Sequence, residues 1–343
     1  MLSLAQYHSL PEFTRDYVSA CYAESLIHGS TIKQQYISYS TTILYLKDAG
    51  IFKKPHPILP SRTLQYPPLL HSILQEYQRW QSIPNRRHPV TINMLEFLHK
   101  HQLNLHQDCY ECALYDWLVL GMQTGQRKSE WCQDATEFRK SNTFSRSIKQ
   151  TSIAFTQNDF SLSYKSTPHE STSQHPHRPN YLQITWRFQK NGQNGQAVSF
   201  AHNYRHPHLS PVRAAERILT RATRLSQPAH SPLAVYAPGS TKTKLLPPTP
   251  MYIFHSQVEN SLRKIAQKVY NISSKSDLQK YSCHSLRVGA CVLLHSSGAD
   301  ALTIKFRLRW RSDSFMEYLR NTPQLAAIHT NILSTTNTDS ILL

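Results

Sequence analysis

The sequence lacks long apolar runs. The longest apolar stretches, near 117–122 and 290–294, are much shorter than the roughly 20 residues that a membrane-spanning helix requires. The first residues also lack a basic segment followed by an apolar one, which is the pattern of a secretory signal. These absences predict an intracellular protein with no membrane partner.

Cysteine is sparse and scattered. The six cysteines are Cys21, Cys109, Cys112, Cys132, Cys283 and Cys291. A chain of this size inside a cell keeps its thiols reduced. Cys109 and Cys112 have a metal-like spacing, but no second pair follows at a zinc-finger distance. We therefore interpret them as packing thiols, and the sequence predicts neither a metal nor a cofactor.

Acidic residues are few relative to basic ones. Asp and Glu number 21 against 38 Lys and Arg, which gives a net charge of +17 and a pI near 9.7. Such an excess is typical of proteins that bind polyanions. With 343 residues, the chain is long enough for two domains that each have a core.

The first 84 residues are predicted to form a helical domain. Helical segments are expected near 3–26, 31–48 and 68–82, with Ser30 or Thr31 as the N-cap of the second. The segment 85–91, which is polar, basic and marked by proline, is predicted to connect this domain to the next.

Residues 92–330 are predicted to form a second domain, followed by a tail at 331–343. Helices are expected at 92–101, 109–122, 256–270 and from Ser210-Pro211 onward, and the segment 153–164 is expected to contribute a strand. Alternating apolar residues on both sides of a Gly/Asn turn predict a β-hairpin over 181–200. An irregular insertion is expected near 165–180. The fold class is therefore mainly α with a small antiparallel β-sheet (α+β).

The stretch 281–320 combines a His, several Arg, a Trp and a Tyr at short intervals. A helix is predicted from Leu286 to Ser296, ended by Gly298. His284 and Arg287 lie three residues apart at its start, so they could bind one anion together. A second short helix is predicted from Asp313, as its N-cap, to Leu319.

The motif HSLR followed by RWRSDSFMEYLR resembles the C-terminal catalytic motif of tyrosine recombinases, the phage-integrase superfamily. In that family a His-x-x-Arg pair precedes a His or Trp, and the nucleophilic Tyr follows nine residues later. Tyr318 lies nine residues after Arg309, while Trp310 is one residue off. The Arg-Trp pair is closer in style to recombinases of eukaryotic mobile elements. Either side chain could meet the phosphate.

Two further segments carry the same resemblance. Gly125-x-Arg127-x-Ser129-Glu130 resembles the family's first arginine box, which implies a catalytic Arg127 and a Glu130 that orients the site. Lys190, where the first hairpin strand meets the turn, resembles the catalytic lysine of the family. The resemblance implies a helical core-binding domain at 1–84 and a catalytic domain at 92–330.

The implied activity is site-specific DNA recombination or integration through a covalent 3′-phosphotyrosine. The partners would be double-stranded DNA and further copies of the chain, as a tetramer on two DNA sites. The compartment would be the nucleus in a eukaryotic host, and otherwise the cytoplasm with the DNA. One alternative is a catalytically decayed descendant that still binds DNA. Another is a type IB topoisomerase-like or nicking enzyme that acts on one duplex.

Basic residues outside the motifs are candidates for DNA contacts. They lie in the connector and on the helix that follows Ser210, and they are Arg86, Arg87, Arg213, Arg217, Arg221 and Arg224. The four helical arginines follow one another at three- or four-residue steps, so they could track phosphates. A solvated basic face is the alternative.

Overall fold

The chain divides into two compact units, with the boundary between Asn85 and Arg86. The computed structural model describes residues 4–28, 37–49, 68–80, 86–103, 105–133, 153–164, 178–189, 192, 194–238, 250–310, 312–319, 327 and 330. Within these residues the chain is mainly helical with small antiparallel sheets, which confirms the predicted fold class. None of the described helices is long and apolar enough to cross a bilayer.

The first unit is helical. Its described helices are α1 (Leu4–Ser9), α2 (Glu12–Ile27), α3 (Tyr39–Asp48) and α4 (Pro68–Trp80). Buried Ala23, Leu46, Leu70 and Leu74 form its core. The Asp16 carboxylate accepts the backbone N–H groups of Leu69 and Leu70 and so satisfies donors at the start of α4. Ser38 is the N-cap of α3, whereas Ser30 and Thr31 lie outside the described residues.

The second unit begins with α5 (Ile92–Gln102), α6 (Tyr110–Thr124) and α7 (Lys128–Trp131). Three strands follow: β1 (Phe160–Ser163), β2 (Tyr181–Trp186) and β3 (Gln196–Ala201). Then come α8 (Pro211–Arg224), β4 (Val235–Tyr236), β5 (Met251–Tyr252), α9 (His255–Tyr270) and α10 (Lys275–Leu278). The last described helices are α11 (His284–Ser296), α12 (Ala301–Leu308) and α13 (Met316–Leu319).

The predicted hairpin is confirmed. β2 pairs with β3 in antiparallel register, with Leu182 opposite Phe200, and β1 pairs along the other edge of β2. Leu182, Ile184 and Trp186 alternate with more exposed residues and point into the core. β2 is therefore the central strand, and its last residue, Trp186, extends toward the end of α7.

The buried helix α6 packs closely against α11. A Cβ on Gly121 would lie 2.0 Å from Leu286 Cδ2, so any larger residue would force Leu286 to shift. Since α6 ends at Gly125 and α11 starts at His284, this contact fixes the end of one helix beside the start of the other.

The chain between α11 and Tyr318 contains a helix that the pattern did not predict. Asp300 is the N-cap of α12, where its carboxylate accepts the Thr303 N–H at 2.6 Å. The predicted cap of the last helix also differs from the structure. Ser312 is the N-cap of a 3₁₀ turn at Asp313–Phe315 that precedes α13, and the Asp313 carboxylate instead binds Lys305 Nζ at 3.1 Å.

Candidate active site

Tyr318 and His284 are in direct contact. The Tyr318 hydroxyl lies 2.9 Å from His284 Nε2, and the two ring centroids are 5.5 Å apart. Tyr318 is on α13, and Leu319 of this helix, with Phe315 of the preceding 3₁₀ turn, packs against the buried face of α11. His284 is the first residue of α11. The fold therefore brings together residues that are 34 positions apart in the sequence.

Arg287 lies one turn after His284 and is fixed by backbone oxygens. Its Nη1 donates to the Gly125 carbonyl at 2.6 Å and its Nη2 to the Leu308 carbonyl at 2.9 Å. It therefore joins the ends of α6 and α12 to α11. Among the described residues, Arg287 forms no salt bridge with a carboxylate, although only 3% of its surface is exposed.

Trp310 completes this group, which we call the His284 cluster: His284, Arg287, Trp310 and Tyr318. The guanidinium of Arg287 lies 4.1 Å from the centroid of the Trp310 ring, a cation–π distance. The Trp310 and Tyr318 centroids are 5.6 Å apart. Trp310 Nε1 is buried and has no hydrogen-bond partner within the described part of the chain. It is thus a buried donor that is unsatisfied in this structure.

Arg127 follows the left-handed residue that ends α6. Gly125 has φ +57°, and a Cβ there would lie 2.7 Å from Leu308 Cδ2, so glycine suits the turn and avoids a shift of Leu308. Arg127 is the N-cap of α7, and its Nη1 lies 3.1 Å from Glu130 Oε1. With 24% of its side chain exposed, Arg127 keeps access to solvent.

Beneath Arg127 lies a buried ion pair. Both Nη atoms of Arg309 donate to Glu130, at 3.2 and 3.3 Å, and the Arg309 side chain is fully buried. Arg309 also lies 3.9 Å from the centroid of the Trp186 ring, and Trp186 Nε1 donates to Glu130 Oε2 at 3.3 Å. We call Glu130, Arg309 and Trp186 the supporting group. Of the two residues that the spacing left open, the structure places Trp310 in the His284 cluster and Arg309 in the supporting group.

Positive charge exceeds negative charge at this site. Arg127, Arg287 and Arg309 lie near one another, and Glu130 is the carboxylate that bonds to two of them. Burial alone would raise the pKa of Glu130, but Arg309 and Arg127 lower it below its usual range, so the carboxyl is ionised. Within the described part of the chain, this one carboxylate balances the three guanidiniums only in part. A desolvated site with excess positive charge favours an anion.

The protonation states of the free protein place a proton donor, Tyr318, beside a proton acceptor, His284. Burial, together with Arg287, Arg87 and Arg127, lowers the pKa of His284, so its ring is neutral at pH 7 and can accept the Tyr318 proton. Burial raises the pKa of Tyr318 although Arg287 lowers it, so the phenol is protonated in the free protein. Burial and the two other arginines lower the pKa of Arg287 to about 9, which leaves it charged at neutral pH.

Of the other candidate residues, Arg86 and Arg87 lie near the His284 cluster. Lys190 lies outside the described residues. Arg86 forms a salt bridge with Glu317 at 3.2 Å, next to Tyr318, and Arg87 Nη1 donates to the Gln279 carbonyl at 2.7 Å. The connector arginines thus border the His284 cluster.

The four arginines of α8 are ion-paired within the second unit. Arg217 and Arg221 bind the two oxygens of buried Asp116 at 2.6 and 2.7 Å. Arg224 binds Asp108 at 2.5 Å, and Arg213 binds Glu216 at 2.7 Å. Arg221 is 2% exposed. Sequence spacing found the periodicity of these arginines but not their partners, because Asp108 and Asp116 lie more than 100 residues earlier in the chain.

Two contributors to the site were not identified from the sequence. The hairpin pattern places Trp186 on a strand but gives no sign of its bond to Glu130. No motif marks Glu317, which anchors Arg86 beside the Tyr318 backbone. A cavity of about 470 Å³, lined among others by Ile304, Phe315 and Leu319, has none of the candidate residues in its lining. No group of three or more His, Cys, Asp or Glu in the described part of the chain is arranged to bind a metal ion.

Comparison with known proteins gives structural similarities only. No family model matches the sequence, and no curated protein matches it. Solved structures of similar fold include the Tn1549 transposon integrase in complex with transposon right-end DNA, at 14% identity and a TM-score of 0.44, over 95% of this chain and 87% of that chain. The same integrase in complex with circular-intermediate DNA has 15% identity and a TM-score of 0.41 over the same shares. Similarity at this level assigns neither a family nor an activity to the chain.

Proposed function

We propose that this chain is a tyrosine recombinase that breaks and rejoins double-stranded DNA through a covalent 3′-phosphotyrosine at Tyr318. The observation that carries the proposal is the 2.9 Å contact between Tyr318 and His284 beside two arginines, Arg127 and Arg287. A phenol next to a neutral imidazole and excess positive charge is suited to attack on a phosphodiester.

In the proposed reaction, the Tyr318 oxygen attacks the scissile phosphorus and its proton passes to His284 Nε2. The bond from phosphorus to the 5′ oxygen breaks, and that oxygen takes a proton, for which Lys190 is the proposed donor. A phenol is a better leaving group than an alkoxide because its reference pKa is about 10. An incoming 5′ hydroxyl can therefore reverse the step and rejoin a strand.

Arg127 and Arg287 are proposed to stabilise the charge that builds on the non-bridging oxygens. The two backbone bonds of Arg287 use two of its five donors and fix the orientation of the guanidinium. Because Arg287 is 3% exposed, direct contact with a phosphate requires a shift of Trp310 or Tyr318. Trp310 Nε1 is the further proposed donor to the phosphate.

Arg309 is proposed to act through Glu130 rather than on the DNA. Its fully buried side chain offers no surface to a phosphate, but it orients the carboxylate that binds Arg127. The supporting group would therefore fix the position of Arg127 and the charge balance of the site.

The deciding experiment is adduct formation on nicked suicide DNA substrates, from which the cleaved fragment diffuses away. The native chain should form a covalent protein–DNA adduct, and Tyr318→Phe should bind DNA without forming one. Tyr281→Phe and Tyr270→Phe are matched controls that should still react. If the Tyr318→Phe variant still reacts while one of these controls does not, the nucleophile has been misassigned.

The same substrates separate the alternatives. A decayed descendant would bind DNA with the native Tyr318 but form no adduct. A nicking or topoisomerase-like enzyme would form the adduct on one duplex but yield no recombinant strand when two marked duplexes are supplied. Strand exchange between the two duplexes would support recombination by an oligomer.

A further inference from the structure

Cys109 and Cys112 lie together at the start of α6, outside the candidate active site. Cys109 is the N-cap of this 15-residue helix, with extended dihedrals of φ −66° and ψ 165°, and Cys112 is its third residue. Residues three apart in the first turn of a helix are neighbours. The sequence pattern alone favours two packing thiols, but one cysteine lies at the N-cap and the other lies inside the helix.

The two thiols differ in access to solvent. Cys109 is partly exposed, whereas Cys112 is buried with 8% of its surface exposed. Reactive cysteine pairs need one thiol that a reagent can reach and a second that attacks it from within. The arrangement at α6 has this asymmetry.

Their electrostatic surroundings also differ. The neighbouring Cys112 thiol and the positive end of the helix favour a thiolate at Cys109, against the opposing effects of burial and Glu111. Together they lower the pKa of Cys109 to about 7. The neighbouring Cys109 sulfur and burial raise the pKa of Cys112. Nearby Asp108 is compensated by its ion pairs with Arg224 and Arg221.

We propose that Cys109 and Cys112 are a redox-active dithiol that exchanges with low-molecular-weight disulfides and closes into an intramolecular disulfide. The Cys109 thiolate attacks one sulfur of a disulfide such as oxidised glutathione, the sulfur–sulfur bond breaks, and one glutathione thiolate leaves. Cys112 then loses its proton and attacks the Cys109 sulfur, which releases the second glutathione. Two protein thiols are oxidised, and one glutathione disulfide is reduced to two thiols.

The second step is favoured once the first has occurred. In the mixed disulfide, Cys109 is no longer a thiolate, so the interaction that holds the proton on Cys112 is removed. A disulfide spans Cα separations of about 4.4–6.8 Å, which residues three apart in a first turn can meet. The proposal is independent of the proposed DNA chemistry, because neither cysteine belongs to that site.

The test is differential alkylation of the full-length folded chain after exposure to oxidised glutathione at pH 7, followed by digestion and mass spectrometry. The peptide that contains both cysteines should lose two hydrogen atoms and become protected from alkylation. Cys132 and Cys283, both buried, are internal controls that should react only after unfolding. If Cys109 and Cys112 can still be alkylated after prolonged exposure to oxidised glutathione, the proposal is wrong.

Two serine variants identify the attacking thiol. Cys112→Ser should accumulate the mixed glutathione disulfide at position 109, whereas Cys109→Ser should not accumulate one at position 112. Cys109 in the folded chain should react about threefold faster at pH 7 than in the urea-unfolded chain, since its larger thiolate fraction outweighs its lower nucleophilicity. A mixed disulfide at Cys112, or equal rates in both states, would refute the assignment.

Discussion

At the scale of single residues, Arg309 and Trp310 are adjacent in the sequence, but their side chains lie in different groups at the site. Arg309 has φ +57°, a left-handed conformation that is uncommon for a residue with a side chain, and it turns the chain at the end of α12. Its guanidinium enters the buried supporting group, while the next side chain, Trp310, joins the His284 cluster. The nine-residue spacing to Tyr318 could not distinguish them, because a count along the chain does not give the direction of a side chain.

We expect substitutions at these two positions to separate stability from chemistry. Arg309→Met removes one partner of a buried ion pair and should lower the free energy of unfolding by about 3–5 kcal/mol. Trp310→Phe keeps a packed ring and should cost less than about 1.5 kcal/mol. It removes the indole donor, however, and should slow adduct formation about 100- to 1,000-fold if that donor meets the phosphate. Urea denaturation and single-turnover cleavage measure the two effects.

The reverse pattern would contradict the assignment. If Arg309→Met folds with native stability yet forms no adduct, while Trp310→Phe forms the adduct at the native rate, Arg309 rather than Trp310 contacts the phosphate. Trp310→His is a further control, because histidine is the other residue that the recombinase motif accepts, and it should retain more activity than Trp310→Phe.

The lowered pKa of His284 predicts the pH dependence of the reaction. If neutral His284 accepts the Tyr318 proton, adduct formation should be constant near pH 7 and fall on acidification only below the usual histidine value of about 6.5. Folding stability should depend on pH in the same direction as the reaction rate. The stability that neutral His284 contributes is present above the pKa of this residue in the unfolded chain, and it is lost as pH falls through its lower pKa in the folded protein. A single-turnover pH profile from pH 5 to 8 tests this, with His284→Gln expected to lose the acid limb.

At the scale of elements, the sequence identified helices and the hairpin through periodicity, but it missed contacts between distant elements. In α8, Val212, Ala215 and Ile218 recur at helical spacing in the sequence, and all three are buried. The ion pairs of its arginines could not be inferred, because nothing in a local pattern brings α8 beside Asp116 of α6. α12 was overlooked because its apolar residues are mixed with exposed Leu302 and Phe306.

Two glycines that end helices offer a matched test of packing at the site. Gly125 after α6 and Gly298 after α11 both have positive φ, +57° and +84°. A Cβ at Gly298 meets nothing within 4 Å, whereas one at Gly125 would lie 2.7 Å from Leu308 Cδ2. Gly298→Ala should therefore cost about 1 kcal/mol through backbone strain. Gly125→Ala should cost a further 1–3 kcal/mol or so through overpacking.

Urea denaturation of the two variants measures this difference, and adduct formation gives a second readout. Because the Gly125 carbonyl accepts Arg287 Nη1, a shift at Gly125 should also slow cleavage, while Gly298→Ala should cleave at the native rate. Equal losses of stability would mean that Leu308 moves aside and that the close packing is not needed.

At the scale of the whole molecule, the net charge of +17 does not translate directly into DNA contacts. Arg217 and Arg224 are each 41% exposed, but both are compensated by carboxylates on the protein. Arg87 acts electrostatically on His284, Lys128 directly follows Arg127 in the sequence, and neither forms a salt bridge among the described residues. Cations that are already paired release fewer counterions from DNA than free ones, so the position of a charge matters more than the total.

We expect the affinity for duplex DNA to fall steeply with salt, because each phosphate neutralised contributes about −0.9 to the log–log slope. A protein that contacts 6–10 phosphates loses about 10³- to 10⁵-fold in affinity between 50 and 200 mM salt. The double variant Arg87→Gln/Lys128→Gln should make the slope shallower by about 0.9 for each cation that contacts a phosphate. Arg217→Gln/Arg224→Gln, which removes the same charge from α8, should leave it unchanged. A flat native slope would exclude DNA as the main partner, and a shallower slope for the α8 variant would assign that helix to the DNA surface.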